Sequence, residues 1–155
     1  MSAVVHSYAT RLAWSGSTAP GYDSYPREHT LIAPPAEQEL RLSSDQHFKG
    51  DARLLNPELL VVAAASSCQL LEFLALAAKA RIDVLEYGDE AEGTMDESDE
   101  PARIQRIVLR PRIVVAAGPS EDRVRRLVHL AHDHCYVANS LRTEIEIEAE
   151  IEVRG

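Results

Sequence analysis

Hydrophobic and polar positions divide this chain into strand-rich ends around a helical middle. Residues 5 to 14, VHSYATRLAW, alternate as a strand does. The following GSTAPGYDSYPRE supplies Gly16, Pro20, Gly21 and Pro26 for an irregular loop. HTLIA and QELRLS read as two short strands separated by Pro34 and Pro35. A helix then opens at Asn56 as N-cap, with Pro57 at its first position and Glu58 at the positive end of its dipole. Alanine and leucine dominate from Leu59 to Ala80 with no continuous polar face, which predicts a helix buried nearly all round.

Beyond it, IDVLEYGDEAEGTM and ARIQRIVLRPRIVVA read as two strands joined by the acidic turn DESDEP. PSEDRVRRLVHLAHDHC opens a second helix, capped by Ser120, with Glu121 and Asp122 in its first turn and an apolar stripe of Val124, Leu127, Val128 and Ala131. YVANSLRTE reads as the exit from that helix. TEIEIEAEIEV alternates glutamates with Ile145, Ile147, Ala149, Ile151 and Val153, so one face is buried and the other is acidic and solvated. The order predicts an α+β fold. A helix apolar on every side needs cover on every side, and one sheet covers only one face, so a second copy of the chain is the expected cover.

Composition narrows the partners. The 155 residues suit one domain, residues 1–155, and 45% hydrophobic with 26% charged residues is ordinary for a globular protein. A net charge of −9 argues against nucleic acid or anionic lipid as partners, because both repel such a surface. The start MSAVVHSYATRLAWSG lacks the basic and long apolar regions of a signal peptide. No apolar stretch is expected to reach the length of a membrane span without charge or polarity, and a cytoplasmic location is the default.

Only two cysteines are present, so in a reducing compartment they are core residues, metal ligands or redox groups rather than a permanent disulfide. Cys68 lies inside the apolar helix and Cys135 ends the second one. HLAHDHC brings His129, His132, His134 and Cys135 within two helical turns, a spacing open to metal ligation, but with no second ligand cluster they read first as favourable C-terminal cations or solvated polar-face residues, and no metal is expected.

FKGDARLLNPELLVVAAASSC resembles the first-cysteine motif of the OsmC/Ohr family of thiol-dependent hydroperoxide reductases, with Asn-Pro-Glu at the helix start and a cysteine ten residues after the glutamate. LAHDHCYVANSL is similar to the family's second-cysteine motif, and YATRLAWSG with YDSYPREHTL resembles its N-terminal hairpin. Tyr136 follows Cys135 where many members have proline, and Ala138 stands where they have serine.

The resemblance implies an OsmC-like fold, with antiparallel sheets around the central helix, an intertwined homodimer and no cofactor. It also implies a mechanism. Apolar surroundings alone raise a thiol's pKa and make it inert, so Cys68 needs a neighbouring positive charge to attack as a thiolate. In the family that charge is an arginine held by the helix-start glutamate. The resemblance maps these roles to Arg27, with Arg11 and Arg53 behind it, and to Glu58. Cys68 would then become a sulfenic acid and condense with Cys135, and an external thiol or dithiol would restore it. The apolar wall suits organic or lipid hydroperoxides. The alternative is a non-catalytic, ligand-binding dimer that uses the same apolar interface as a pocket.

Overall fold

In the computed structural model, which describes residues 2–155, the chain divides after Pro57 into two units. The N-terminal unit holds one antiparallel sheet in the order β1 (Arg11–Ala13), β2 (His29–Ile32), β3 (Glu39–Leu42). The strand expected over residues 5 to 14 is realised only at its end. Val4, Val5 and Tyr8 stay exposed, so their alternation has no surface to pack against. The indole N–H of Trp14 donates to the Pro26 carbonyl at 2.8 Å and closes the loop between β1 and β2. Downstream of β3, the Ser43 N–H donates to the Leu55 carbonyl at 2.9 Å, which leads the chain toward Asn56. Gly50 is required there, because a Cβ would lie 1.6 Å from the Ser44 carbonyl oxygen.

The second unit carries α1 (Pro57–Lys79), α2 (Glu121–His134), a one-turn α3 (Tyr136–Ser140) and six strands. Each long strand expected from the sequence breaks in two. Residues 82–95 become β4 (Val84–Asp89) and β5 (Glu92–Met95), and residues 102–116 become β6 (Ile104–Leu109) and β7 (Pro111–Ala116). The last strand becomes β8 (Glu144–Ile147) and β9 (Glu150–Arg154). The halves sort into two sheets, β4-β7-β9 and β5-β6-β8, so the chain passes from one sheet to the other three times at a shared corner.

Asp89, Arg110 and Glu148 build that corner. The Arg110 N–H donates to Asp89 Oδ1 at 2.6 Å, and the Glu148 N–H donates to the Leu109 carbonyl at 2.8 Å. Pro111 has no N–H to give and opens β7, a tolerated place for proline. The remaining oxygen of Asp89 accepts from the Ser66 hydroxyl, which fastens the corner to α1 two residues before Cys68.

The expected antiparallel pairing holds for β4 with β7 and β5 with β6, whereas β6 pairs with β8 and β7 with β9 in parallel. α2 lies between the two strand groups in sequence, and a helical crossover returns the chain in the same direction. The parallel register also changes the reading of the acidic face. Glu146, Glu148 and Glu152 meet Arg106, Arg110 and Arg112 at 2.5, 3.2 and 3.1 Å, so an arginine row answers the glutamates. Such exposed pairs are screened by solvent and each contributes little to stability.

The main core packs Phe73 and Ala77 of α1 with Ile113 and Val115 of β7 and with Val124, Val128 and Ala131 of α2. A smaller cluster joins Ala65 to Ile107 and Leu109. Gly93 lets β5 run close to α1, since a Cβ there would lie 2.6 Å from Val62. Within the chain α1 buries only the stripe Ala65, Gln69, Phe73 and Ala77, not all of its sides. Leu59, Leu71 and Leu74 are 48%, 63% and 37% exposed. The helix is also long and apolar enough to cross a membrane by length and composition alone, contrary to the expectation from sequence. Its polar Gln69 sits inside the fold, packed on α2, as in a core helix.

Candidate active site

Gln69 sets the orientation of α1 in this site. It is 1% exposed, and its Nε2 donates to the Val128 carbonyl of α2 at 3.0 Å. Cys68, one residue earlier, is rotated by about 100° around the helix and so leaves the core face while staying beside α2. Cys135 lies where α2 ends and α3 begins and serves both helices as a cap. Its N–H donates to the His132 carbonyl at 3.2 Å, and its Sγ accepts from the Ala138 N–H at 3.4 Å.

The two cysteine side chains lie close enough to interact, and neither is in a disulfide. Cys135 is buried, while Cys68 is half-buried. Burial pushes the Cys135 thiol up to about 11, helped by the neighbouring Cys68, while the Ala138 N–H works in the opposite direction. Cys135 therefore holds its proton at neutral pH.

Cys68 opens on a groove of about 420 Å³ lined by Ser67, Leu71, Glu72, Tyr136 and Val137. Tyr136 is 79% exposed at its edge. The groove is largely apolar, and its one charged lining residue, Glu72, stands one turn beyond Cys68 on α1 and faces His134 Nδ1 at 3.9 Å. Neither Glu72 nor His134 was singled out for this place by the sequence pattern, although the i, i+4 spacing of Cys68 and Glu72 marks them as neighbours on one helix face.

The other expected residues lie as follows. Glu58 is half-buried in the first turn of α1. Ten residues of helix put it about 15 Å from Cys68 along the axis, so the two side chains do not touch. Arg27 belongs to the N-terminal unit, where its guanidinium lies 3.6 Å from the ring centre of Tyr25 and 4.9 Å from that of Tyr22. Its Nη1 donates to the Tyr25 carbonyl at 2.6 Å, and its Nη2 donates to the Tyr22 carbonyl. Arg53 instead chelates Asp51 at 2.8 Å and holds that carboxyl down near 2. Among the described residues no three His, Cys, Asp or Glu side chains converge as a metal site, and the histidines of α2 do not come together as ligands.

The OsmC-like protein family matches residues 50–150, and the chain belongs to that family. It superposes on an OsmC-like protein of unknown function from Vibrio cholerae with a TM-score of 0.86 and 28% identity, over 94% of this chain and 100% of that one. An organic hydroperoxide resistance protein from Legionella pneumophila shares the fold, with a TM-score of 0.72 at 16% identity over 97% of this chain and 99% of that one. The uncharacterized protein YmaD of Bacillus subtilis is 21% identical over 116 residues, 73% of this chain and 77% of its own length.

Proposed function

We propose that this OsmC-like protein is a thiol-dependent peroxidase that reduces organic hydroperoxides. The observation that carries the reading is the proximity of the buried Cys135 thiol to Cys68, which itself lines an apolar groove. The names of some structural neighbours, organic hydroperoxide resistance proteins from Legionella pneumophila and Elizabethkingia anophelis, support it.

In this reading the Cys68 thiolate attacks the distal oxygen of ROOH. The O–O bond breaks, ROH leaves after taking up a proton, and Cys68 becomes a sulfenic acid. The Cys135 thiol then attacks that sulfur. An S–S bond forms, the S–O bond breaks, and the thiol proton departs with hydroxide as water. Two equivalents of an external thiol, or one dithiol, reduce the disulfide and are themselves oxidised. A cytoplasmic location would supply such thiols. In this proposal the Arg27 guanidinium, steered by Glu58, stabilises the Cys68 thiolate. The exposed leucines of α1 are covered by a second copy in a homodimer.

Cys135 also supports a second reading. A buried thiol pushed up to about 11 is a sluggish resolving group, which suits a protein that binds a small apolar ligand beside Cys68 without turnover. Consumption of tert-butyl hydroperoxide with a panel of dithiols decides between the two. The peroxidase reading predicts turnover that Cys68→Ser abolishes, and equal consumption by wild type and variant would overturn it.

A further inference from the structure

We infer that the external thiol attacks the Cys68 sulfur of the disulfide between Cys68 and Cys135, so that reduction passes through a mixed disulfide at Cys68 and releases Cys135 as a thiol. The inference rests on the proposed reaction for the disulfide itself and adds which of its two sulfurs the reductant meets. Displacement at a disulfide runs in line, so a nucleophile must approach each sulfur from the side opposite its partner. Cys135 is 1% exposed, and the packing that buries it comes from its own chain. It closes α2 and opens α3, and the backbone of α3 already lies against its Sγ, which accepts from the Ala138 N–H at 3.4 Å. A thiol reaching that sulfur has to open the junction of α2 and α3 first. Cys68 is half-buried and is the sulfur that peroxide must reach in the proposed reaction. A second copy packed over Leu71 does not uncover Cys135, and the arginine that the proposed reaction sets at Cys68 draws a thiolate to the same sulfur.

Leaving-group strength points the other way. Burial pushes the Cys135 thiol up to about 11, and a thiolate of high pKa departs slowly. Access decides between the two effects, because a poor leaving group slows attack at Cys68 without opening a path to Cys135. In the first step the new S–S bond joins the reductant to Cys68, the old S–S bond breaks, and the proton of the attacking thiol ends on Cys135. A second equivalent of thiol, or the second thiol of a dithiol, then attacks the sulfur of the bound reductant. It leaves as the oxidised disulfide, and Cys68 is returned as a thiol. Cys135 holds its proton at neutral pH, so it re-attacks the adduct slowly and the mixed disulfide persists.

Diamide oxidises two thiols to a disulfide without peroxide, so the test does not require peroxidase activity. The oxidised full-length protein is pulsed with 2-mercaptoethanol and quenched in acid, and its free thiols are blocked with N-ethylmaleimide before peptide mapping. The expected product carries 2-mercaptoethanol on the Cys68 peptide and the maleimide on the Cys135 peptide, in at least about tenfold excess over the reverse pattern. The same pulse given in denaturing urea is expected to place the adduct on both cysteines in comparable amounts, since burial no longer shields Cys135. Adduct on Cys135, equal labelling of the folded protein, a preference that survives unfolding, or failure of diamide to link the cysteines would overturn the inference. Turnover of an organic hydroperoxide together with adduct on Cys135 removes the inference and leaves the peroxidase reading. Adduct on Cys68 without turnover does the reverse.

Discussion

Gln69 donates to the Val128 carbonyl at 3.0 Å inside the core, and this one contact joins the helix that carries Cys68 to the helix that ends at Cys135. The Gln69 Oε1 has no hydrogen-bond partner, so the residue accepts a burial cost for an interhelical tie. Gln69→Ala removes the tie and leaves a cavity, and is expected to cost about 2–4 kcal/mol. Urea denaturation at a fixed protein concentration measures it. The same variant is expected to slow disulfide formation between the cysteines by loosening their alignment.

Cys135 gives a pH signature. Below about 9, the ordinary value for its thiol, both the folded and the unfolded chain hold the proton, and the preference for a neutral buried thiol contributes in full. Between about 9 and 11 the unfolded thiol ionises while the folded one keeps its proton, so stability falls as pH rises through that window. Denaturation midpoints from pH 8 to 11 are expected to decline more steeply in wild type than in Cys135→Ala. Equal slopes would contradict the burial argument.

Leu71 tests the homodimer. It is 63% exposed in the single chain, on a helix whose apolar surface continues through Leu74. Sedimentation is expected to show a particle of about twice 17.1 kDa for wild type, and Leu71→Lys is expected to shift it toward monomer at micromolar concentration. A wild-type monomer stable at those concentrations would contradict the proposed cover.

Arg27 is the candidate activator of Cys68, and its guanidinium stacks on Tyr25 at 3.6 Å. Lysine keeps the charge but not the planar fork. Arg27→Lys is therefore expected to slow the reaction of Cys68 with peroxide roughly tenfold, and Arg27→Met about a hundredfold, because the thiolate loses its cationic partner. Stopped-flow kinetics of thiol loss reads the rate, and a variant as fast as wild type would contradict the role.

Much of this was legible in the sequence, and particular residues show why. Asn56, Pro57 and Glu58 marked the start of α1 to within a residue, because capping chemistry is local. Ser120 did the same for α2, where its hydroxyl accepts from the Arg123 N–H at 3.2 Å. The corner at Asp89, Arg110 and Glu148 was not legible. Each break is a contact between residues about 20 to 40 positions apart, while the alternation of the strands continues across it. The parallel pairing of β8 with β6 and of β9 with β7 was hidden for the same reason. At the site, both cysteines and Glu58 stood out by motif, whereas Glu72 is unremarkable until the fold turns it into the groove beside Cys68.

The central claim is that Cys68 and Cys135 form one redox pair. Mass spectrometry of peptides from wild type treated with one equivalent of an organic hydroperoxide tests it most directly. The account predicts loss of two thiols and a peptide pair linked through Cys68 and Cys135, with Cys135→Ser trapped as the Cys68 sulfenic acid. A wild type in which Cys68 proceeds to sulfinic acid while Cys135 stays a thiol would contradict it.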